Sequence, residues 1–298
     1  MTTLFAPAKI NLYLHVNGRR PDGYHILDSL VLFANWGDTI RMKNADGSRT
    51  DSCRFTGPLA GSLAEMPADQ NLALRALHLA RQYVDLPAQD LTIEKHIPAA
   101  GGLGGGSSNA ATVLRHVLQV SDFNALPHDQ QNAMTELGAD IPVCYQARPC
   151  FVQGVGEILR PCTSLPEGGI PALICTPPTS LSTKEVFTAY DQSRTGNTTE
   201  PCIRAPVSAA DHRTCTQALR AQTRNDLSPA AEGLCPEIRA GITILKTTQS
   251  CLLARMAGSG PSMFGLFKNR DAAEQAALVI RAQNPEWSVV PCNLETQA

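Results

Sequence analysis

Pro98-Ala-Ala-Gly-Gly-Leu-Gly-Gly-Gly-Ser-Ser108 is the stretch on which the reading of this chain turns, and five of its eleven residues are glycine. Upstream, Leu91 and Ile93 alternate with Thr92 and Glu94, a strand pattern that Pro98 ends. Downstream, Ala110, Val113, Leu114, Val117 and Leu118 recur at helical spacing. Ser107, Ser108 or Asn109 supplies the expected N-cap. Glycines let backbone N–H groups turn toward a ligand, and a helix start adds roughly half a positive charge. Strand, glycine loop and helix in this order predict an anion site, most often one for phosphate.

Two common glycine motifs do not fit. A Walker A loop needs Lys and then Ser or Thr after its last glycine, whereas Gly106 is followed by Ser107 and Ser108. The frames from Gly102 and Gly104 both lack the third glycine of a dinucleotide fingerprint, which excludes that class of oxidoreductase. A neutralising lysine for a triphosphate must therefore come from elsewhere. A flexible linker is the bland alternative, but linkers are not framed this closely by strand and helix patterns.

Working outward, Ile10, Leu12, Leu14 and Val16 predict a half-buried strand with Lys9 and Asn11 on its other face. Arg20-Pro-Asp-Gly-Tyr-His25 reads as a tight turn. Strands are expected over 29–34 and 39–42, separated by a turn at Gly37-Asp38. A helix is expected from Asn71 to Val84 and another from Asp129 to Leu137, closed by Gly138. Phe151 to Leu159 and Ala172 to Cys175 read as strands, and Asp191 to Asp211 as a surface loop. The end of the chain reads strand, glycine turn (Gly258-Ser-Gly260), strand, helix, strand. This mixture predicts two α+β domains, 1–163 and 164–298.

With 298 residues and 43% hydrophobic content the chain can bury a real core. A net charge of −2 implies no nucleic-acid or membrane-surface partner, and no apolar run is long enough to span a bilayer. The first residues lack the apolar core of a signal peptide, and ten scattered cysteines without a CxxC pair fit a cytoplasmic protein with reduced thiols.

Phosphoryl transfer to a hydroxyl needs a phosphate cradle, a cation and a proton acceptor. Asp140, in Gly138-Ala-Asp-Ile-Pro142, is the candidate acceptor, although most such residues are turn or cap residues. Lys9 is the candidate cation, against the plainer reading of a solvated strand lysine. Tyr24 and His25 could stack on a base and hydrogen-bond its edge, or simply pack their hairpin. Lys95, at the end of the strand before the loop, is a weaker candidate for touching a nucleotide.

These segments together resemble the GHMP kinase superfamily. Four matches carry the resemblance: Pro7-Ala-Lys-Ile-Asn-Leu12, Arg20 to His25, Gly101 to Ala111, and Gly138 to Pro142. The Asp-Gly-Tyr-His turn and the triple glycine before Ser107 resemble the branch that phosphorylates a cytidine-diphosphate-linked methylerythritol. The resemblance implies an N-terminal domain like domain 2 of ribosomal protein S5 and a ferredoxin-like C-terminal domain. It implies ATP and Mg²⁺ as cofactors and that small molecule as substrate. By the same resemblance Lys9 and Asp140 are catalytic, with Asn11 orienting them. Lys95, Pro98, Ala99, Ala100, Gly101, Gly102, Leu103, Gly104, Gly105, Gly106, Ser107 and Ser108 would bind ATP. His25 would read the cytosine edge, Tyr24 would stack on one face, and Phe187, with Thr183 nearby, would close the other. Ala100 stands where glycine is usual and Ala257 where Ser or Thr is common. A relative acting on a small alcohol such as homoserine or mevalonate has no base for Tyr24 and His25 to recognise. A non-catalytic nucleotide sensor has no use for both Lys9 and Asp140.

Overall fold

The alternation around Ile10 belongs to a longer strand, β1 (Thr2–Arg19). It is buried on both faces: Lys9, Asn11, Tyr13 and His15 are 5%, 6%, 0% and 1% exposed. The expected half-buried strand is thus a core strand whose polar side chains are enclosed. The chain, described by a computed structural model over residues 1–45, 47, 50–63, 65–193 and 211–297, forms two compact units. The first comprises Met1–Lys9, Trp36–Ala99 and Gly104–Ala147; the second comprises Ile10–Asn35, Ala100–Leu103 and Arg148–Ala298.

β2 (His25–Asn44) runs unbroken where sequence predicts a turn. Gly37 serves close backbone approach: a Cβ there would lie 2.2 Å from the Ala6 carbonyl oxygen. Asp38 is fully buried and accepts the backbone N–H groups of His96 and Ile97 at 2.8 and 2.9 Å. Neither residue is free to turn the chain.

In the first unit, β3 (Ser52–Thr56) is followed by α1 (Leu72–Ala80), whose N-cap Asn71 accepts from the amides of Ala73 and Leu74. This helix stops short of Val84; Arg81 instead forks onto Asp51 at 2.6 and 2.7 Å. β4 (Gln89–Glu94) pairs antiparallel with the second half of β2 and parallel with β3. α2 (Gly105–Leu118) begins one turn earlier than expected, with Gly104 in the left-handed region as its N-cap. Ser107, Ser108 and Asn109 lie inside the helix, and the Ser108 hydroxyl donates to the Pro7 carbonyl at 2.7 Å. α3 (His128–Leu137) ends at Gly138 as read, and α4 (Ile141–Gln146) follows immediately. Ile40, Met42, Leu77, Leu91, Ile93 and Val113 form the core of this unit.

In the second unit, β5 (Cys150–Gly154) pairs with the first half of β2 and with β6 (Ile158–Pro161). The single strand expected over 151–159 is therefore a hairpin, turning at Gly154 with φ +71°. There follow β7 (Ile170–Thr176), α5 (Thr183–Ser193), α6 (His212–Gln222), α7 (Ser228–Leu234) and α8 (Pro236–Thr247). β8 (Cys251–Met256), β9 (Met263–Phe267), α9 (Arg270–Gln283) and β10 (Ser288–Glu295) complete the unit. The antiparallel order β10-β7-β9-β8 is strand order 4-1-3-2, with helices after the first and third strands. That arrangement is ferredoxin-like, as the resemblance implied. Of the stretch read as a loop, Asp191 to Ser193 continue α5, Asp211 caps α6, and residues 194–210 lie outside the described residues.

Among the described residues no helix is long and apolar enough to cross a membrane. Burial pushes the thiols of Cys175 and Cys292 up to about 12, which keeps them protonated and unreactive.

Candidate active site

Lys9 and Asp140, far apart in sequence, meet in the first unit with Nζ 3.1 Å from Oδ2. The lysine side chain is 6% exposed and the aspartate 44%, so the carboxylate is the accessible member. Asp140 is the N-cap residue of α4 and precedes Pro142 in that helix's first turn. Its position is fixed by two helix ends, the Gly138 C-cap of α3 and the start of α4. The Lys9 stem runs against Gly104, where a Cβ would lie 2.7 Å from Lys9 Cγ. Gly104 also has φ +68°, so it must be glycine on both steric and conformational grounds. Burial, and then the Asp140 charge, push the neighbouring Cys144 thiol well above its usual range, so it is no nucleophile.

Gly104 places the first turn of α2 beside that lysine. The amides of a helix's first turn have no intrahelical acceptor, and here Gly106 is exposed while Gly105 and Ser107 are half-buried. These groups can receive an anion. Ser108 is fully buried with its hydroxyl engaged, which leaves Ser107 as the accessible hydroxyl of the pair. Ahead of the helix, Ala99 and Ala100 are exposed and Pro98 is half-buried. Lys95 is placed differently from the expectation: its side chain is 3% exposed and its ammonium is paired with Asp38. A Cβ on Gly105 would sit 3.3 Å from that ammonium, so Lys95 lies directly behind the helix start.

In the second unit, Gly102 has φ +75° and lies flat against the late glycine turn. A Cβ there would come within 2.5 Å of the Ala257 carbonyl and 2.8 Å of that of Gly260. The Ser262 amide donates to Gly101 at 3.2 Å, and Asn225 secures the turn by donating to Gly258 at 2.8 Å. Ala257 is 0% exposed, so the hydroxyl usual at this position would be enclosed. Ala100 adopts φ +52°, a left-handed conformation that suits the glycine it replaces. Asn11 donates to Ser29 Oγ at 2.9 Å, and its carboxamide oxygen lies against Gly258. Thr183 exchanges a 2.9 Å hydrogen bond with Ser259.

The same unit contains His25, Tyr24 and Phe187. Tyr24 is 61% exposed, at the end of a turn whose Asp22 carboxylate accepts the Tyr24 amide. Phe187 stacks on the His25 ring at 4.6 Å and 26°, and Tyr190 approaches it edge-on at 6.2 Å. Sequence reasoning missed Asp191, whose Oδ1 lies 2.7 Å from His25 Nε2 and whose Oδ2 lies 3.3 Å from Arg19. The available signal was its place four residues after Phe187 on one helix, which puts both on the same face.

Comparison with known proteins identifies the family and the fold. Residues 71–150 match the GHMP kinases N terminal domain and residues 207–286 the GHMP kinases C terminal domain. A 4-diphosphocytidyl-2-C-methyl-D-erythritol kinase of Cereibacter sphaeroides is 43% identical over 295 residues, covering 99% of both chains. The Agrobacterium fabrum kinase of the same name is 38% identical over 287 residues, 95% of this chain and 92% of that one. A crystal structure of 4-(cytidine 5'-diphospho)-2C-methyl-D-erythritol kinase superimposes with TM-score 0.71 at 30% identity, covering 98% and 99% of the two chains. Homoserine kinase from Cytophaga hutchinsonii reaches the same TM-score at 17% identity over 99% and 95%, and shares the fold. This chain belongs to the 4-diphosphocytidyl-2-C-methyl-D-erythritol kinase family of the GHMP kinases.

Proposed function

We propose that this chain transfers the terminal phosphoryl group of ATP to the 2-hydroxyl of 4-diphosphocytidyl-2-C-methyl-D-erythritol. The products are the 2-phosphate and ADP, in the non-mevalonate route to isoprenoid precursors. The observation that carries this reading is the 3.1 Å contact between Lys9 and Asp140 beside Gly104, the residue that opens α2. The accessible Asp140 carboxylate accepts the proton of the attacking hydroxyl. The enclosed Lys9 ammonium holds that carboxylate and offsets charge gathering on the transferring group. The first-turn amides of α2, with the glycines from Gly101 to Gly106, cradle the phosphates. Lys95 supports this loop from behind through Asp38.

Mg²⁺ bound with nucleotide takes most of its ligands from phosphate and water and one or two from protein. Among the described residues no cluster of three or more His, Cys, Asp or Glu side chains forms a metal cage, and such an ion needs none. The accessible Ser107 hydroxyl fits the protein's share. When bound, the ion would neutralise charge on the phosphates.

In the second unit, His25 reads the cytosine edge and Tyr24 stacks on the ring. Phe187 and Thr183 contribute from α5, and Asn11 orients from β1. The two family matches fall on either side of the expected boundary at residue 163, but the compact units interleave: Ile10–Asn35 and Ala100–Leu103 belong with Arg148–Ala298. A cytoplasmic setting, where ATP is available, goes with this reading.

The test is ADP release with the cytidine-linked methylerythritol, homoserine and mevalonate as alternative acceptors. Turnover only with the first is expected. Comparable turnover with either small alcohol would overturn the assignment.

A further inference from the structure

His25 has two ring nitrogens, and among the described residues only one of them is committed. Nε2 faces Asp191 Oδ1 at 2.7 Å, while Nδ1 makes no hydrogen bond to the described residues. The ring itself is held on several sides. Phe187 stacks on its face, Tyr190 meets it edge-on, and the side chain is 12% exposed. Asp191 is held in turn. Arg19 Nη1 lies 3.3 Å from its second oxygen, and Arg19 Nε donates to the Gly23 carbonyl at 2.9 Å. Arg19 therefore clamps Asp191 to the same turn that carries Tyr24 and His25.

An ionised carboxylate has no proton to give, so it only accepts. A neutral imidazole facing it must carry its proton on Nε2, leaving a lone pair on Nδ1. The consequence bears on which pyrimidine is accepted. Cytosine presents an exocyclic amine, a donor, where uracil presents a carbonyl oxygen, an acceptor. A lone pair on Nδ1 pairs with the first and repels the second.

We infer that Asp191, braced by Arg19, is a positioning residue that fixes His25 as the Nε2–H tautomer and so makes the site select cytosine over uracil. This rests on the proposal that His25 reads the base. Asp191 touches no reacting atom; it acts through the histidine. Discrimination of this kind is strong because the wrong base leaves two acceptors facing each other without a proton between them.

The test combines nitrogen NMR of the histidine ring with base discrimination in the full-length enzyme. In wild type at neutral pH, ¹⁵N shifts should show His25 as the Nε2–H tautomer; the Nδ1–H tautomer or an imidazolium would overturn the inference. Asp191→Ala should mix the tautomers and lower the preference in kcat/KM for the cytidine over the uridine substrate by about tenfold or more. The loss should fall mainly on KM. Asp191→Asn keeps shape and volume while removing the charge, and should lose tautomer control in the same spectra. Unchanged ring shifts and unchanged base preference in both variants would overturn the inference while leaving His25 as the base reader. A wild-type enzyme indifferent to the base would instead overturn the proposal beneath it.

Discussion

Asp38 and Lys95 form an ion pair with almost no access to water, at 0% and 3% side-chain exposure, behind the first turn of α2. The same carboxylate takes the amides of His96 and Ile97, so one aspartate sets both the ammonium and the backbone leading to the phosphate loop. Breaking a buried pair from one side leaves an uncompensated charge, at a cost of about 3–5 kcal/mol. Asp38→Asn should lower unfolding stability by an amount of that order and raise KM for ATP. Denaturant unfolding and steady-state kinetics check both, and a variant as stable as wild type would show the pair to be dispensable.

Asp140 and Lys9 should respond as a unit. Asp140→Asn is expected to reduce turnover by about 10²-fold or more with ATP binding largely kept, because it removes the proton acceptor and leaves the cradle. Lys9→Met should reduce the rate by roughly 10²-fold or more through lost charge stabilisation. The double variant should fall well short of the product of the two, as interacting groups do. Full additivity in single-turnover rates would mean that the 3.1 Å contact has no part in the chemistry.

Ala100 holds φ +52°, which costs an L-residue roughly 1–2 kcal/mol. Glycine removes that strain but loosens the unfolded chain, a loss of about 0.4–1 kcal/mol. Ala100→Gly should therefore gain about 0.5–1 kcal/mol by the difference between these terms. A higher denaturation midpoint is the expected reading; a lower one would show that the alanine is accommodated without strain.

Tyr24 is 61% exposed, so Tyr24→Ala should leave stability within about 0.5 kcal/mol of wild type. Loss of base stacking should nevertheless weaken binding of the cytidine substrate by about 1–3 kcal/mol. Calorimetric titration with that substrate separates the two effects. Unaltered affinity would reduce Tyr24 to a turn residue.

His15 is 1% exposed and its Nε2 accepts the Arg224 amide at 3.1 Å. Burial lowers its pKa below the ordinary 6.5, with Asp226 opposing and Arg224 reinforcing the shift. As pH falls below 6.5, the histidine of the unfolded chain takes up its proton first, so the unfolded state binds more protons. The stabilising contribution is full above that value and is lost as pH falls through the folded pKa. Unfolding free energies at pH 7.5 and pH 5.5 should differ more in wild type than in His15→Gln; equal differences would remove His15 from the acid sensitivity.

The glycine loop and the strand, turn, strand, helix, strand order that ends the chain were legible because backbone demands and alternation write directly into residue type. By contrast α5, α6 and α7 were not read, and Lys9 and Asp140 entered as candidates through the chemistry and the family resemblance. Gly37 and Asp38 were misread because turn and close approach ask for the same glycine, and only the partner strand distinguishes them. α4 was hidden by its six residues and by Pro142, which signals a break as readily as a first turn. The pairing of Lys95 with Asp38, and of Asp191 with His25, depends on residues distant in the chain. Only Asp191 leaves a local trace, its place four residues after Phe187 on α5.

Gly37 carries one last consequence. Its neighbours across the gap are backbone atoms, Ala6 O, Ala6 C and Pro7 Cα within 2.8 Å of any added carbon, and backbone cannot swing aside. A saturation library at this position should therefore return glycine alone, for reasons of bare contact between two main chains. Tolerance maps would flag the position as essential, and its importance would be architectural.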